Sequence, residues 1–236
     1  MTMLPVAVLA GGLARRLRPV TDKVPKALLP VAGRPFIHWQ LELLAQQDIT
    51  EAVLCVGYLG EQIQAVVGDG ACFGISVRYS FDGESLLGTG GALKRALPML
   101  GTAFFVLYGD SYLPYSFAAA QAAYAASRVA GLMTVFCNDN RWDRSNVLFR
   151  EGRIVEYNKR APTPGMTHID YGLGILAAQA LEKLPDDAAF DLADVYHELS
   201  LRGELAGLEV GERFYEIGSA RGLDETENYL TTKGPQ

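Results

Sequence analysis

The residues best suited to chemistry lie in a glycine-bearing basic segment close to the N-terminus. An apolar run, Val6-Ala7-Val8-Leu9-Ala10, is followed by the pair Gly11-Gly12, three arginines and the dipeptide Pro25-Lys26. Glycines let backbone N–H groups approach a ligand closely, and cations neutralise its negative charge. A buried strand that leads into such a loop is a common arrangement for holding a phosphate chain in α/β proteins. The segment therefore predicts a site for a phosphate-bearing ligand.

Two further segments carry groups that suit a ligand of this kind. A glycine-rich turn at 86–93, Leu-Leu-Gly-Thr-Gly-Gly-Ala-Leu, opens a predicted helix and lets a ligand come close to the backbone. Asp110 directly follows an apolar strand predicted at 104–108. A carboxylate there is poised to hold a hard cation such as Mg²⁺, which prefers oxygen ligands, although Asp can also cap a helix.

Alternating strands and helices must position these segments. Strands are predicted at 4–10, 51–57, 75–81, 104–108, 132–136, 145–150, 153–158, 168–176 and 213–217, and helices at 36–47, 59–67, within 90–100, 116–127, 178–184, 191–202 and 222–231. The β-α-β-α order of the first half predicts a parallel sheet with helices on both faces. Ligands of open sheets bind at the carboxyl ends of the strands, so the basic loop, the glycine turn and Asp110 are expected to converge on one site.

The composition limits the class of protein. The 236 residues suit one α/β domain, 1–236, and the net charge of −6 argues against a general binder of nucleic acid or membrane surfaces. The N-terminal apolar run is too short for a signal peptide or a membrane span, which favours a cytoplasmic protein. Cys55, Cys72 and Cys137 lie in or beside apolar segments and are expected to be buried, reduced thiols. His38, His168 and His197 show no metal-ligand spacing.

The N-terminal segment resembles the signature of the sugar-1-phosphate nucleotidylyltransferases, which reads roughly L-A-G-G-x-G-T-R-L-x-P and then P-K. The resemblance implies that Arg16 binds the triphosphate and that Lys26 contacts phosphate at the reaction centre. It also implies a nucleotide-binding role for four consecutive residues of the segment: Leu9, Ala10, Gly11 and Gly12. Ala14 stands where the family usually has a third glycine, and Arg15 where it has Thr or Ser. If that position needs a positive φ, Ala14 is strained or the loop is rearranged.

The same resemblance assigns roles to the glycine turn and to two acidic residues. Gly88, Thr89 and Gly90 would contact the base and ribose, and the form of the turn looks most like guanylyltransferases for mannose- or heptose-type sugar phosphates. Asp110 matches the first metal-binding aspartate, and Glu216 stands at the position of the second. Asp224 is a reserve candidate for that second ligand.

Five residues correspond to the side of the family's site that binds the sugar phosphate. They are Gly109, Asn146, Asn158, Lys159 and Asp170. Lys159 would grip the phosphate, whereas Asn146, Asn158 and Asp170 replace residues that the family usually has there. His168 lies beside this segment and is a candidate for one hydrogen bond.

The resemblance implies a GT-A-like, Rossmann-like α/β fold whose sheet is mixed but mostly parallel, with no C-terminal β-helix. Residues 1–115 would hold a nucleoside triphosphate and residues 116–236 a sugar 1-phosphate, with Mg²⁺ as cofactor and neither nucleic acid nor membrane as partner. The expected substrates are GTP and a heptose or mannose 1-phosphate. A uridylyl- or thymidylyltransferase for another sugar and a non-catalytic nucleotide-sugar sensor are the alternatives, and a homo-oligomer is left open. The dinucleotide fingerprint GxGxxG is absent, which disfavours an NAD-dependent dehydrogenase.

Overall fold

A computed structural model describes residues 2–233 of the chain. The strands are β1 Val6–Leu9, β2 Pro30–Val31, β3 Arg34–Pro35, β4 Glu51–Val56, β5 Ser76–Phe81, β6 Ala103–Tyr108, β7 Ser111–Tyr112, β8 Gly131–Cys137, β9 Val147–Arg150, β10 Arg153–Tyr157, β11 His168–Ala177, β12 Leu205–Val210 and β13 Tyr215–Glu216. The helices are α1 Phe36–Gln46, α2 Gly60–Val67, α3 Gly88–Ala96, α4 Phe117–Ser127, α5 Gln179–Glu182, α6 Leu192–Leu201 and α7 Ala220–Lys233.

Nine strands form one sheet in the order β5-β4-β1-β6-β11-β8-β12-β10-β9. The first four in this order are parallel, and β12 is parallel to β8. β11 runs antiparallel to β6 and β8, and β10 runs antiparallel to β12 and β9. Within residues 2–233, β10 and β11 are the only strands that oppose the common direction of the sheet, which confirms the mixed, mostly parallel sheet.

Each face of the sheet is covered by helices, as the sequence predicts. Val6 and Val8 of β1 pack on one face in a core that includes residues of α1, α2 and α4. Ala7 points the other way and joins a core that includes residues of α3, α5 and α6. Because successive side chains of a strand alternate between its faces, the continuous apolar run of β1 is buried on both sides.

One central strand is missing from the sequence prediction. β12 lies between β8 and β10, but its sequence, Leu-Ala-Gly-Leu-Glu-Val, has a glycine and a glutamate that interrupt the apolar pattern. Gly207 has a packing reason, since a Cβ atom there would lie 2.5 Å from the ring of Phe149. The last strand is also shorter than predicted, because only Tyr215 and Glu216 pair, with the short strand β7.

The prediction of buried thiols is correct for Cys55 and wrong for Cys72 and Cys137, which are both exposed. Cys72 lies in a short 3₁₀ turn between α2 and β5, and Cys137 ends β8 beyond the core. Among residues 2–233, no helix has the length and apolar character needed to cross a bilayer.

Candidate active site

The glycine pair after β1 contains two glycines with different surroundings. A Cβ atom on Gly11 would lie 2.9 Å from the backbone nitrogen of Gly57, in the loop after β4, so close packing of two loops requires glycine there. A Cβ atom on Gly12 would meet nothing within 4 Å. Gly12 therefore borders open space, and the protein's own packing gives no reason for glycine at that position.

Ala14, which stands where the family signature has a glycine, adopts the left-handed backbone conformation. Its φ and ψ are 47° and 41°. This region costs an L-residue roughly 1–2 kcal/mol. The strained residue lies in a turn that hydrogen bonds stabilise. The Ala14 carbonyl accepts one from Leu17 N at 3.0 Å and one from the Thr21 hydroxyl at 3.0 Å. Arg15, which follows, is exposed.

A cavity of about 240 Å³ opens at the carboxyl ends of β1 and β6. The predicted nucleotide-binding residues in its lining are Leu9, Ala10, Gly11, Gly12, Gly88 and Thr89. Lys26, Gly109 and Asp110 also border it. Gly90 lies behind this surface, where its N–H bonds to the Phe190 carbonyl at 3.0 Å and a Cβ atom would lie 2.3 Å from the Phe190 ring. We call this space the glycine-loop cavity.

Lys26 and Asp110 meet at the floor of the glycine-loop cavity. Lys26 Nζ lies 2.7 Å from Asp110 Oδ2, and the two side chains are 19% and 25% exposed. Lys26 comes from the 3₁₀ turn that closes the basic segment, and Asp110 follows β6, the sheet neighbour of β1. The pair thus joins two of the three sequence segments that were expected to converge.

Glu216 stands beside Asp110 because β13 pairs with β7 and Ile217 N donates to the Asp110 carbonyl at 2.9 Å. A Cβ atom built on Gly218 would lie 3.7 Å from both Asp110 Oδ2 and Glu216 Oε1, and 3.1 Å from an Arg16 nitrogen. Burial, and then the Asp110 charge, raises the pKa of Glu216, while Arg16 and Lys26 oppose that shift. Two neighbouring carboxylates, Asp110 and Glu216, fit a divalent cation bound through oxygen. Asp224 is exposed on α7 and lies outside the lining of either cavity.

A second cavity, of about 220 Å³, adjoins the first and shares Tyr108 and Asp110 with it. The sequence-predicted residues that line it are Arg16, Asn146, Lys159, Asp170 and Glu216. Gly109 lines the glycine-loop cavity instead, and Asn158 lies outside both linings, where its side chain bonds to Glu156 and to Ala161 N. We call this space the Asp170 cavity.

Asp170 is the most strongly perturbed carboxyl group of the Asp170 cavity. Its backbone N–H donates to Asn146 Oδ1 at 3.1 Å, and its Oδ1 accepts from Gly172 N at 2.9 Å. Burial raises its pKa to about 6, although the Gly172 hydrogen bond and the Lys159 charge oppose the shift. A carboxylate held in this way can accept hydrogen bonds from hydroxyl groups of a ligand.

The two cavities are also connected through Asp191, the N-cap residue of α6. Asp191 Oδ1 accepts from the Thr89 hydroxyl at 2.8 Å, and Asp191 Oδ2 lies 3.9 Å from Lys159 Nζ. Burial tends to raise the pKa of Asp191, but hydrogen bonds from Ala193 N and Thr89 and the Lys159 charge lower it overall. The start of α3 and the lysine of the second cavity are therefore held by the same carboxylate.

Two carboxylates that line the cavities were not predicted from the sequence. Asp82, which is 6% exposed, lines the glycine-loop cavity and accepts a hydrogen bond from Leu87 N at 3.2 Å. It follows β5, so the strand-end position used for Asp110 would have identified it. Asp143 lines the Asp170 cavity and raises the pKa of Glu216 as a minor cause, after burial and Asp110. It lies in an irregular loop, where no local pattern marks it.

Comparison with known proteins shows which family the chain belongs to. The profile of the nucleotidyl transferase family matches residues 6–145. The chain is 43% identical over 114 residues to N-acetylmuramate alpha-1-phosphate uridylyltransferase of Neisseria meningitidis, covering 48% of this chain and 49% of the relative. It is 37% identical over 105 residues to D-glycero-alpha-D-manno-heptose 1-phosphate guanylyltransferase of Campylobacter jejuni, covering 44% of this chain and 47% of the relative. The chain thus spans about half the length of the curated relatives it matches.

The fold is shared over nearly the whole chain with a solved structure, HddC from Yersinia pseudotuberculosis. The TM-score is 0.82 at 22% identity, covering 96% of this chain and 99% of that one. The likeness at this identity is one of fold. The family profile, in contrast, covers more than half of the chain and includes the basic segment, the glycine turn and Asp110. The chain belongs to the nucleotidyl transferase family.

Proposed function

We propose that this protein is a sugar-1-phosphate nucleotidylyltransferase, which joins a nucleoside triphosphate to a sugar 1-phosphate. A phosphate oxygen of the sugar 1-phosphate attacks the α-phosphorus in line. The bond from that phosphorus to the bridging oxygen of the β-phosphate breaks, so pyrophosphate leaves as the nucleotide-sugar forms. No covalent bond to the protein is needed, and catalysis consists of positioning two substrates and neutralising charge.

One observation carries the proposal: two cavities of similar size adjoin and share Asp110, which is paired with Lys26. A transfer between two bound substrates requires adjoining sites with cations at the junction. The glycine-loop cavity suits a nucleoside triphosphate because its wall consists of backbone at Gly11, Gly12 and Gly88. The Asp170 cavity suits a sugar phosphate because it combines hydrogen-bonding side chains with the cation of Lys159.

The charged residues have distinct roles in this mechanism. Lys26 neutralises the phosphate at the reaction centre, Arg16 binds the triphosphate, and Lys159 holds the sugar phosphate. Asp110 and Glu216 would hold Mg²⁺, which supplies charge neutralisation of the phosphates when bound. Arg16 lines the Asp170 cavity close to both carboxylates, which supports its reaching substrate at the junction.

We propose GTP as the nucleotide because of a buried carboxylate in the glycine-loop cavity. Asp82 is a buried carboxylate in its lining, and burial raises the pKa of this group despite the Leu87 hydrogen bond and the Arg95 charge. Guanine offers two adjacent donors, the ring N–H and the exocyclic amino group, and a carboxylate can accept both. Uracil and thymine offer a single ring N–H, which compensates the desolvation of a buried carboxylate less well.

The proposed sugar is a heptose or mannose 1-phosphate, whose hydroxyl groups suit Asn146 and Asp170. A second candidate pair is UTP with an acylated amino-sugar 1-phosphate, favoured by the similarity to the Neisseria meningitidis uridylyltransferase. A third reading, a non-catalytic sensor of nucleotide-sugars, is disfavoured because Lys26, Asp110 and Glu216 are assembled as a transfer site requires.

The test is pyrophosphate release with Mg²⁺ over a panel that combines the common nucleoside triphosphates with mannose, heptose, glucose and N-acetylmuramate 1-phosphates. We expect the largest kcat/KM for GTP with a heptose or mannose phosphate, and a lower GTP preference in Asp82→Asn. A preference for UTP or dTTP would refute the guanylyl assignment and leave the reaction class intact. No pyrophosphate from any pair would refute the transferase and support the sensor.

A further inference from the structure

A group of three potential metal ligands lies outside the proposed active site. Cys137, His168 and Glu209 each offer one ligand atom, and these three atoms all lie within 4.8 Å of one another. His168 Nε2 is 3.2 Å from Glu209 Oε1, and their side chains are 12% and 52% exposed. Cys137 is also exposed. The histidine is thus held by the protein while the other two ligands remain accessible to an ion from solvent.

Neighbouring strands of the sheet bring these residues together. His168 of β11 is paired with Cys137 of β8, and Glu209 of β12 is paired with Val135, two residues before Cys137. Residues two apart on a strand point to the same face, so the three side chains lie on one face of the sheet. A sheet register of this kind fixes their spacing more firmly than a loop would.

The imidazole is oriented for coordination through the nitrogen that faces the other two ligands. Its Nδ1 lies 3.1 Å from the Thr167 hydroxyl, and its Nε2 faces Glu209. Histidines that bind metals usually donate the other ring N–H to an oxygen, which fixes the tautomer. In the tautomer whose Nδ1–H donates to the Thr167 hydroxyl, Nε2 offers its lone pair to an ion bound between it and Glu209. The ring also packs against Phe149, with centroids 5.0 Å apart, which further limits its rotation.

We propose that Cys137, His168 and Glu209 form a binding site for Zn²⁺ or a similar borderline transition-metal ion. A thiolate, an imidazole and a carboxylate are ligands of Zn²⁺, which favours four-coordinate geometry, whereas Mg²⁺ takes oxygen ligands. Three protein ligands leave one position for water. Binding releases the proton of the Cys137 thiol, because thiolate is the ligand form. This inference does not rest on the proposed function.

The position of the cluster indicates what the ion would do. Both ends of the segment 138–146 are held by the residues next to or within the cluster: Asn138 N donates to the Thr167 carbonyl at 3.0 Å, and Asn146 N donates to the His168 carbonyl at 2.9 Å. This segment contributes Asp143 and Asn146 to the Asp170 cavity. An ion joining β8, β11 and β12 would therefore stabilise the base of the segment.

The test uses Co²⁺ as a spectroscopic probe, added to the full chain after treatment with a chelator. Wild type is expected to develop a thiolate-to-Co²⁺ charge-transfer band in the near ultraviolet that saturates at one ion per chain. Cys137→Ser is expected to lose the band, and His168→Gln and Glu209→Gln to require at least tenfold more Co²⁺. Zn²⁺ is expected to displace Co²⁺ and to raise the Tm of wild type. Cys72→Ser is the matched control, because it removes another exposed thiol and keeps the band.

Absence of the band in wild type, or its persistence in Cys137→Ser, would overturn the proposal and leave His168–Glu209 as a simple ion pair. The exposed Glu209 keeps the test decisive if Cys137→Ser folds poorly, since Glu209→Gln removes no buried group. Binding at Asp110 and Glu216 is separated from this site by Cys137→Ser, which removes a ligand of the Cys137 cluster and leaves both carboxylates in place.

Discussion

Lys26 Nζ and Asp110 Oδ2 lie 2.7 Å apart, although 84 residues separate them along the chain. Their ion pair stands where the glycine-loop cavity and the Asp170 cavity adjoin. Lys26 thereby offsets part of the charge that Asp110 and Glu216 concentrate at this point. Phosphates arriving from two substrates would meet the same cation, so Lys26 is the residue on which the proposed chemistry depends most.

Lys26→Met is expected to lower kcat for pyrophosphate release by about 100-fold or more, the usual cost of removing one preorganised charge-stabilising donor. The fold should persist, because the side chain is partly exposed and belongs to no core cluster. Steady-state kinetics and the Tm measure the two effects separately. Lys23→Met, an exposed lysine of the same segment, is the control. Near-normal turnover in Lys26→Met would contradict the assignment of Lys26 to the reaction centre.

Gly11 and Gly12 are expected to respond differently to substitution by alanine. Gly11→Ala forces a Cβ atom to within 2.9 Å of Gly57 N and should lower the Tm, whereas Gly12→Ala meets nothing within 4 Å and should leave the Tm unchanged or slightly higher. Because the Gly12 backbone borders the glycine-loop cavity, Gly12→Ala should still raise KM for the nucleotide. Thermal unfolding and kinetics on the two variants decide this. An unchanged KM in Gly12→Ala would mean that no ligand approaches that backbone.

Ala14→Gly is expected to stabilise the protein. Relief of the left-handed strain at φ 47° favours the variant, and the greater freedom of glycine in the unfolded chain opposes it. The difference should be an increase of about 0.5–1 kcal/mol in the free energy of unfolding, measured by denaturant titration. A destabilised Ala14→Gly protein would show that the methyl group contributes packing that outweighs the strain.

Asp170 should make the stability depend on pH in the acidic range. Burial raises its pKa from 3.8 in the unfolded chain to about 6 in the native protein. Between these values the native state binds more protons than the unfolded state, so the contribution of Asp170 to stability falls as pH rises from about 4 to about 6. The Asp170→Asn variant has no carboxyl group to ionise at this position. Its free energy of unfolding relative to that of wild type should therefore be higher at pH 7.5 than at pH 4.5. Denaturant titrations at both pH values measure the difference in stability between variant and wild type. If that difference is the same at both pH values, or is less favourable to the variant at pH 7.5, the raised pKa of a buried Asp170 is contradicted.

The local patterns of the sequence were sufficient for the framework of the fold, and the family resemblance supplied about half of the residues that line the two cavities. β1, α1 and β6 carry continuous or periodic apolar residues, and the family signature fixed the register of Arg16 and Lys26. β12 could not be recognised in this way, because the ring of Phe149 requires Gly207 in a central strand. Its pattern reflects a tertiary contact rather than a local preference.

The spacing of residues along the sequence could not reveal which of them the sheet brings together. The three histidines show no metal-ligand spacing along the chain, yet the register of β8, β11 and β12 groups His168 with Cys137 and Glu209. Asp191 is likewise joined to Thr89 only because the first turns of α3 and α6 pack together. The family resemblance assigns Gly90 to the nucleotide, and the structure places Gly90 against Phe190 in this packing of α3 and α6.

The most direct measurement of the central claim is ³¹P NMR of the protein with Mg²⁺, a nucleoside triphosphate and a sugar 1-phosphate. Nucleotide-sugar and pyrophosphate should appear in equal amounts, neither substrate alone should yield pyrophosphate, and Asp110→Asn should abolish both signals. Release of pyrophosphate without the sugar phosphate, or no product with any substrate pair, would contradict transfer between two substrates at the junction of Lys26 and Asp110.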